Sequence, residues 1–288
     1  MALFFQGKYT RAIAASLQGL QPAEAMQNWR ISGLFYLVCA RSELALGKLD
    51  ESWQYLQKAR AVADQYAYRE MVCEVQCIAG DIYLLLQDFP RAIAAYKLGV
   101  IEDQPSYETL NNLYRLGLAT AANGDLPAGQ AILEKAIGIA RQVNLATIFL
   151  PAELSLIRIL VTTALTGQSL PDLTAYEDEP RLAEIAQASL LMRLVHLEFA
   201  KWLHQSEEAE ALAQDLIIWS EALGSPTVAI YAWLLLLESY ARQDPLYHAA
   251  WLRLKAVLEE MRLHAQNSEI RPLFERYYQA IQIRYPEF

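Results

Sequence analysis

The chain has 288 residues, 54% of them apolar and 20% charged, with a net charge of −9. That is too apolar for a disordered chain, and the scarcity of glycine (12) and proline (11) argues against collagen-like and turn-rich all-β classes. The acidic balance excludes a nucleic-acid binder working without a separate basic module. Apolar spacing and turn residues predict helices, in chain order, over 8–20, 23–46, 48–64, 67–86, 88–101, 105–123, 125–142 and 151–166. Residues 167–180 carry two prolines and an acidic cluster, which leaves room only for a short helix. Further helices are expected over 181–203, 206–223, 226–241, 245–264 and 269–284, with Pro226 and Pro245 suited to first-turn positions.

Self-similarity organises these helices. The segments QGKYTRAIAASLQG (6–19), LGKLDESWQYLQKA (46–59), LQDFPRAIAAYKLG (86–99) and NGDLPAGQAILEKA (123–136) align on turns centred at Gly7, Gly47, Gln87 and Gly124. Weaker copies centre on Gly167, His204 and Asp244, so the period is near forty residues. Five residues after the turn stand Ala12, Ser52, Ala92, Gly129, Asp172, Ala209 and Ala249, nearly all small. Seven before it stand Ala40, Gly80 and Gly117. Glycine inside a helix costs about 1 kcal/mol relative to alanine. Its recurrence there implies that two antiparallel helices approach closely through these positions, Ala40 facing Ser52, Gly80 facing Ala92 and Gly117 facing Gly129.

A glycine and a tyrosine before the turn, then a small residue, an aromatic and another small residue resemble the tetratricopeptide repeat. The third unit carries the likeness best, through Gly80, Tyr83, Phe89, Ala92, Tyr96 and Gly99. The long period is similar to the repeats in the helical sensor region of MalT-like bacterial regulators. The resemblance implies an all-α, right-handed α-solenoid of about seven antiparallel helix pairs plus a C-terminal capping helix. It implies one domain over 1–288, with clear repeats over 1–142, an irregular unit over 143–180, divergent repeats over 181–264 and the capping helix over 265–288. The function it implies is non-catalytic binding of a protein or peptide on the concave face. The alternative is an effector-sensing segment of a regulator, binding a small molecule or regulatory protein.

No phosphate-loop, dinucleotide, zinc-protease or nucleophile-elbow motif occurs, so no catalytic residue, cofactor or metal is assigned. Cys39, Cys73 and Cys77 read as buried thiols in a reducing compartment. With no leader sequence, and no apolar block longer than 230–237, a cytoplasmic protein away from membranes is expected.

If the first helices of each pair line the concave face, Arg41, Asp81, Asn111, Tyr114, Arg115 and Arg158 face the groove. Arg115 and Arg158 fall at one register position on adjacent first helices. Such a row suits the carboxylates of an acidic peptide. The arginines can equally pair within the chain, with Asp81, Glu74 or Glu153. Leu3, Phe4 and Phe5 are expected as an exposed N-terminal edge through which copies of the chain associate.

Overall fold

The computed structural model describes residues 2–101, 105–162, 173–203, 205–240 and 242–286. Among them every regular element is helical. In order these are α1 (Ala2–Phe5), α2 (Tyr9–Ala25), α3 (Trp29–Ala45), α4 (Leu49–Tyr66), α5 (Arg69–Leu85), α6 (Phe89–Gly99), α7 (Tyr107–Ala122), α8 (Leu126–Gln142) and α9 (Ala146–Thr162). After them come α10 (Thr174–Glu177), a 3-10 turn (Pro180–Leu182), α11 (Ala186–Trp202), α12 (Ser206–Leu223), α13 (Pro226–Ser239), α14 (Pro245–Leu263) and α15 (Arg271–Arg284). No helix among the described residues is long and apolar enough to cross a membrane.

The turns share one construction. Gly7, Gln27, Gly47, Ala67 and Gln87 take left-handed backbone conformations at steps of twenty (7, 27, 47, 67, 87), as do Gly124 and Asn144. After each, the next amide reaches back five residues to the preceding helix. Lys8 N donates to Leu3 O, Asn28 N to Ala23 O and Lys48 N to Glu43 O, with four more of 2.8–3.2 Å at the other turns. This six-to-one closure satisfies a carbonyl that a helix end otherwise leaves orphaned. At three turns the same residue then caps the following helix. The side chains of Asn28, Asp88 and Asp125 accept from Ile31 N, Arg91 N and Ala128 N.

These turns correct several boundaries. The helix expected over 8–20 runs through Pro22 to Ala25, and the next begins at Trp29, because the reversal sits at Gln27 and Asn28. Likewise α9 starts at Ala146, just after the left-handed Asn144, and carries Pro151 inside it. Asp244 is not a turn centre; it N-caps α14 by accepting from Leu246 N. The turn centres expected at Gly167 and His204 lie outside the described residues.

Consecutive helices from α1 to α9 and from α11 to α15 pack on each other, and α3, α5, α7, α9, α11 and α13 also each contact the next of that set. Small residues set the spacing within pairs, as expected. Ser52 donates its hydroxyl to Ala40 O at 2.8 Å. A Cβ added at Gly129 would lie 2.8 Å from Gly117 O and 2.7 Å from Ala121 N. Gly80 differs from expectation: the space beside it holds the Tyr96 ring, not Ala92.

One feature is not foreshadowed by the repeats. The last helices return to the first ones and meet them end to end. Ser225, at the start of α13, and Thr227 both donate to Ala45 O, at the end of α3. At the start of α4, Asp50 N donates to His264 O, at the end of α14. The Asp50 carboxylate accepts from Gln266 N at 2.7 Å and Asn267 N at 2.9 Å. His264 Nδ1 lies 3.0 Å from Glu51 Oε1. Both junctions set a helix C-terminus against an N-terminus, so the helix dipoles run head to tail. Gly47 sits at the seam with φ +73°, and any Cβ there would come within 2.7 Å of Pro226 Cγ.

Two opposite effects are expected within α8. Gly129→Ala should destabilise by about 1–3 kcal/mol, since its neighbours are backbone atoms that cannot give way. Gly138→Ala meets nothing within 4 Å and should stabilise by about 0.5–1 kcal/mol. Urea unfolding of both variants checks the pair, and equal signs would contradict the packing. At the seam, Asp50→Ala should cost about 1–2 kcal/mol and speed amide exchange at Gln266 and Asn267. Unchanged protection at those amides would show that the junction is open in solution.

Candidate functional site: charged rungs between first helices

The predicted groove residues belong to a chain of ion pairs joining α3, α5 and α7, with a separate rung between α9 and α11. Arg41 on α3 donates through Nε and Nη2 to Glu74 Oε2 on α5. Both side chains are buried, 4% and 8% exposed. From α5, Asp81 Oδ1 accepts from Arg115 Nε on α7 at 2.6 Å and from the Tyr96 hydroxyl at 2.8 Å. Arg115 Nη1 also donates to Asn111 Oδ1, one helical turn earlier. The amide of Asn111 points to Cys77 Sγ at 3.3 Å. The guanidinium of Arg115 lies 4.7 Å from the centre of the Tyr114 ring. Tyr114, itself buried, accepts from Gln187 Nε2 on α11. Farther along, Arg158 on α9 forks onto both oxygens of Glu198 on α11, at 2.7–3.2 Å. Glu153 is taken by Arg141 of α8.

Electrostatics explain the pairing. Burial works against the charge of Arg41 and Arg115, but the carboxylates of Glu74 and Asp81 outweigh it and hold both guanidiniums well above their ordinary pKa. Two cations and two anions make the α3–α5–α7 cluster neutral, as a buried network requires. Burial, reinforced by Asp81, raises the Tyr96 hydroxyl far above its usual range. Burial pushes the Cys77 thiol up to about 12 and the Cys39 thiol up to about 11. Both are protonated at neutral pH and poor nucleophiles. All three cysteines are free and buried, as expected. Among the described residues no cluster of three or more metal-ligating side chains occurs.

Asp81, Asn111, Tyr114 and Arg115 thus meet in one cluster, while Arg41 pairs with Glu74, two turns earlier on α5. Arg158 stands apart on the α9–α11 rung. Arg41, Asn111 and Tyr114 are covered, while Arg158 keeps 26% of its side chain exposed against 5% for Glu198. Of the expected internal partners, Glu74 serves Arg41 and Asp81 serves Arg115, whereas Arg158 takes Glu198 instead of Glu153. Sequence reasoning did not foresee Glu198 as the partner of Arg158, the Tyr96 hydroxyl on Asp81, or Gln187 on Tyr114. The available signal was separation by about one repeat: 33 residues from Arg41 to Glu74, 34 from Asp81 to Arg115 and 40 from Arg158 to Glu198. The N-terminal edge also differs from expectation. Leu3, Phe4 and Phe5 are half-buried, not exposed. Phe4 packs on Tyr9 at 5.6 Å between ring centres, and Phe5 meets Tyr107 edge-on at 6.3 Å.

Glu74 Oε1 is buried without a hydrogen-bond partner, so losing Arg41 would strand the whole carboxylate. Arg41→Met is expected to cost about 3–5 kcal/mol, and adding Glu74→Leu should recover most of the loss. Denaturant midpoints of the single and double variants test this; a double variant no better than the single would contradict the pairing. Compared with protein-family models, curated proteins and solved structures, the chain matches none.

Proposed function

We propose that the chain is a right-handed α-solenoid of the tetratricopeptide type, about seven antiparallel pairs with a C-terminal capping helix. In this reading it is a non-catalytic scaffold that binds a protein or peptide along its first helices. The observation that best supports it is the succession α3, α5, α7, α9, α11 and α13, each touching the next. Stacked pairs of that kind bury their apolar faces only on their neighbours, and the by-product is a long continuous surface suited to an extended ligand. Three unpaired buried cysteines suit a reducing compartment such as the cytoplasm.

The recognition chemistry follows from exposure. An acidic side chain of the partner engages Arg158, whose guanidinium is the more accessible half of its rung. It does so by sharing or displacing Glu198. Arg41, Asn111, Tyr114, Asp81 and Arg115 hold the helices beneath at fixed spacing and contribute through that rigidity.

Selection from a displayed peptide library on the immobilised protein should enrich acidic sequences. Arg158→Gln combined with Glu198→Gln removes both charges of the rung. It should weaken the selected peptides by about tenfold, equivalent to about 1.4 kcal/mol. Selection of no acidic sequence, or equal affinity in the variant, sets this reading aside.

A further inference from the structure

Beside the seam between the first and last helices lies a half-open cleft of about 780 Å³. One wall is Tyr83 of α5 and Arg91 of α6; the other is Glu269, Leu273 and Arg276, from the α14–α15 link and α15. Segments about 180 residues apart therefore build a single site. We propose that this cleft binds a small molecule carrying one oxyanion, a carboxylate or a phosphate, on a flat apolar body.

Charge placement carries the inference. Arg91 Nε and Arg276 Nη2 both turn toward one oxygen, Asp88 Oδ2, at 3.6 and 3.3 Å. The other oxygen of Asp88 accepts from Arg91 N and caps α6. One carboxylate oxygen therefore serves two guanidiniums, and both distances are long for charge-assisted hydrogen bonds. The two side chains are 57% and 67% exposed, so their forks are open to an incoming anion, whereas Asp88 is 13% exposed beneath them. Planar forks of this kind suit carboxylate and phosphate oxygens.

The floor supplies the rest of the specificity. Ile270 and Leu273 are buried, and the Tyr83 ring lies 5.9 Å below the Arg91 guanidinium. Above them, half-buried Tyr83 and exposed Pro272 give the apolar surface for a flat body, and the volume lies within the range of small-molecule sites. Glu269 stands exposed at the same cleft. Glu269 and Asp88 oppose further negative charge beside the two guanidiniums, which favours a single oxyanion over a polyanion. Because the occupant touches both sides of the seam, it stabilises the closed arrangement by mass action. This inference is independent of peptide binding along the first helices, and Arg158 takes no part in it.

The test titrates the full chain with benzoate and with phenyl phosphate at constant ionic strength, by calorimetry and by NMR. Saturable one-to-one binding of at least one probe below about 10 mM is expected, with a raised thermal midpoint. The probe's ring protons should contact Tyr83 and Leu273, and whichever probe binds more tightly identifies the oxyanion. Arg91→Ala and Arg276→Ala should each weaken binding by about tenfold or more. Both are exposed side chains, and thermal melts report whether the variants stay folded. Failure of both probes to bind, ring contacts elsewhere, or undiminished affinity in the folded double variant would overturn the proposal. So would acetate or inorganic phosphate binding as tightly as the ring-bearing probes, since the apolar floor would then play no part.

Discussion

The six-to-one turn is the constraint on which the architecture rests. Recurring at steps of twenty, it leaves helices α2, α3, α4 and α5 of nearly equal length, 17 or 18 residues each. Helices of equal length joined by short reversals end at the same level. Flat ends of that kind allow α13 to seat on α3, and α14 on α4, with the donors of one helix meeting the orphaned carbonyls of another. A ragged array would leave those groups to water and Gly47 without its contact to Pro226.

Within the layer of first helices, the charged rungs do different work from the small-residue contacts. A buried ion pair adds little stability over a well-packed apolar pair, because desolvation consumes most of its attraction. What it contributes is intolerance of misalignment. Arg41 cannot slide one turn along α5 without losing Glu74, and Arg115 is pinned at once by Asp81, Asn111 and the Tyr114 ring. Register between neighbouring pairs is therefore set by charge, and separation within a pair by the absence of side chain at Gly117 and Gly129. Together they fix how α3, α5, α7 and α8 sit against one another.

Much of the fold was legible because glycine and small residues leave a periodic trace. Gly7, Gly47 and Gly124 mark turns, and Ser52 and Gly129 mark close contacts, through properties each residue has on its own. Gln27, Ala67 and Asn144 do the same turning work and were not recognised. Glutamine and alanine enter the left-handed region only when the surrounding hydrogen bonds compensate for the strain, and nothing in their identity announces that, whereas asparagine takes it most readily after glycine. The residues expected to line a groove lie at contacts between helices, and the partner of each was not legible. Helical periodicity placed Arg41, Arg115 and Arg158 on one side of their helices, yet whether each arginine meets a partner or a neighbour depends on the offset between helices.

Local chemistry thus accounts for the helices, for their pairing and for which positions must stay small, because each follows from interactions spanning a few residues or one turn. The return of α13, α14 and α15 onto the first helices has a different origin. It rests on contacts such as Ser225 with Ala45 and Arg276 with Asp88, between residues about 180 apart that share no pattern in the sequence. Which helices meet across that distance depends on how every intervening helix packs, and that packing leaves no trace in composition or spacing.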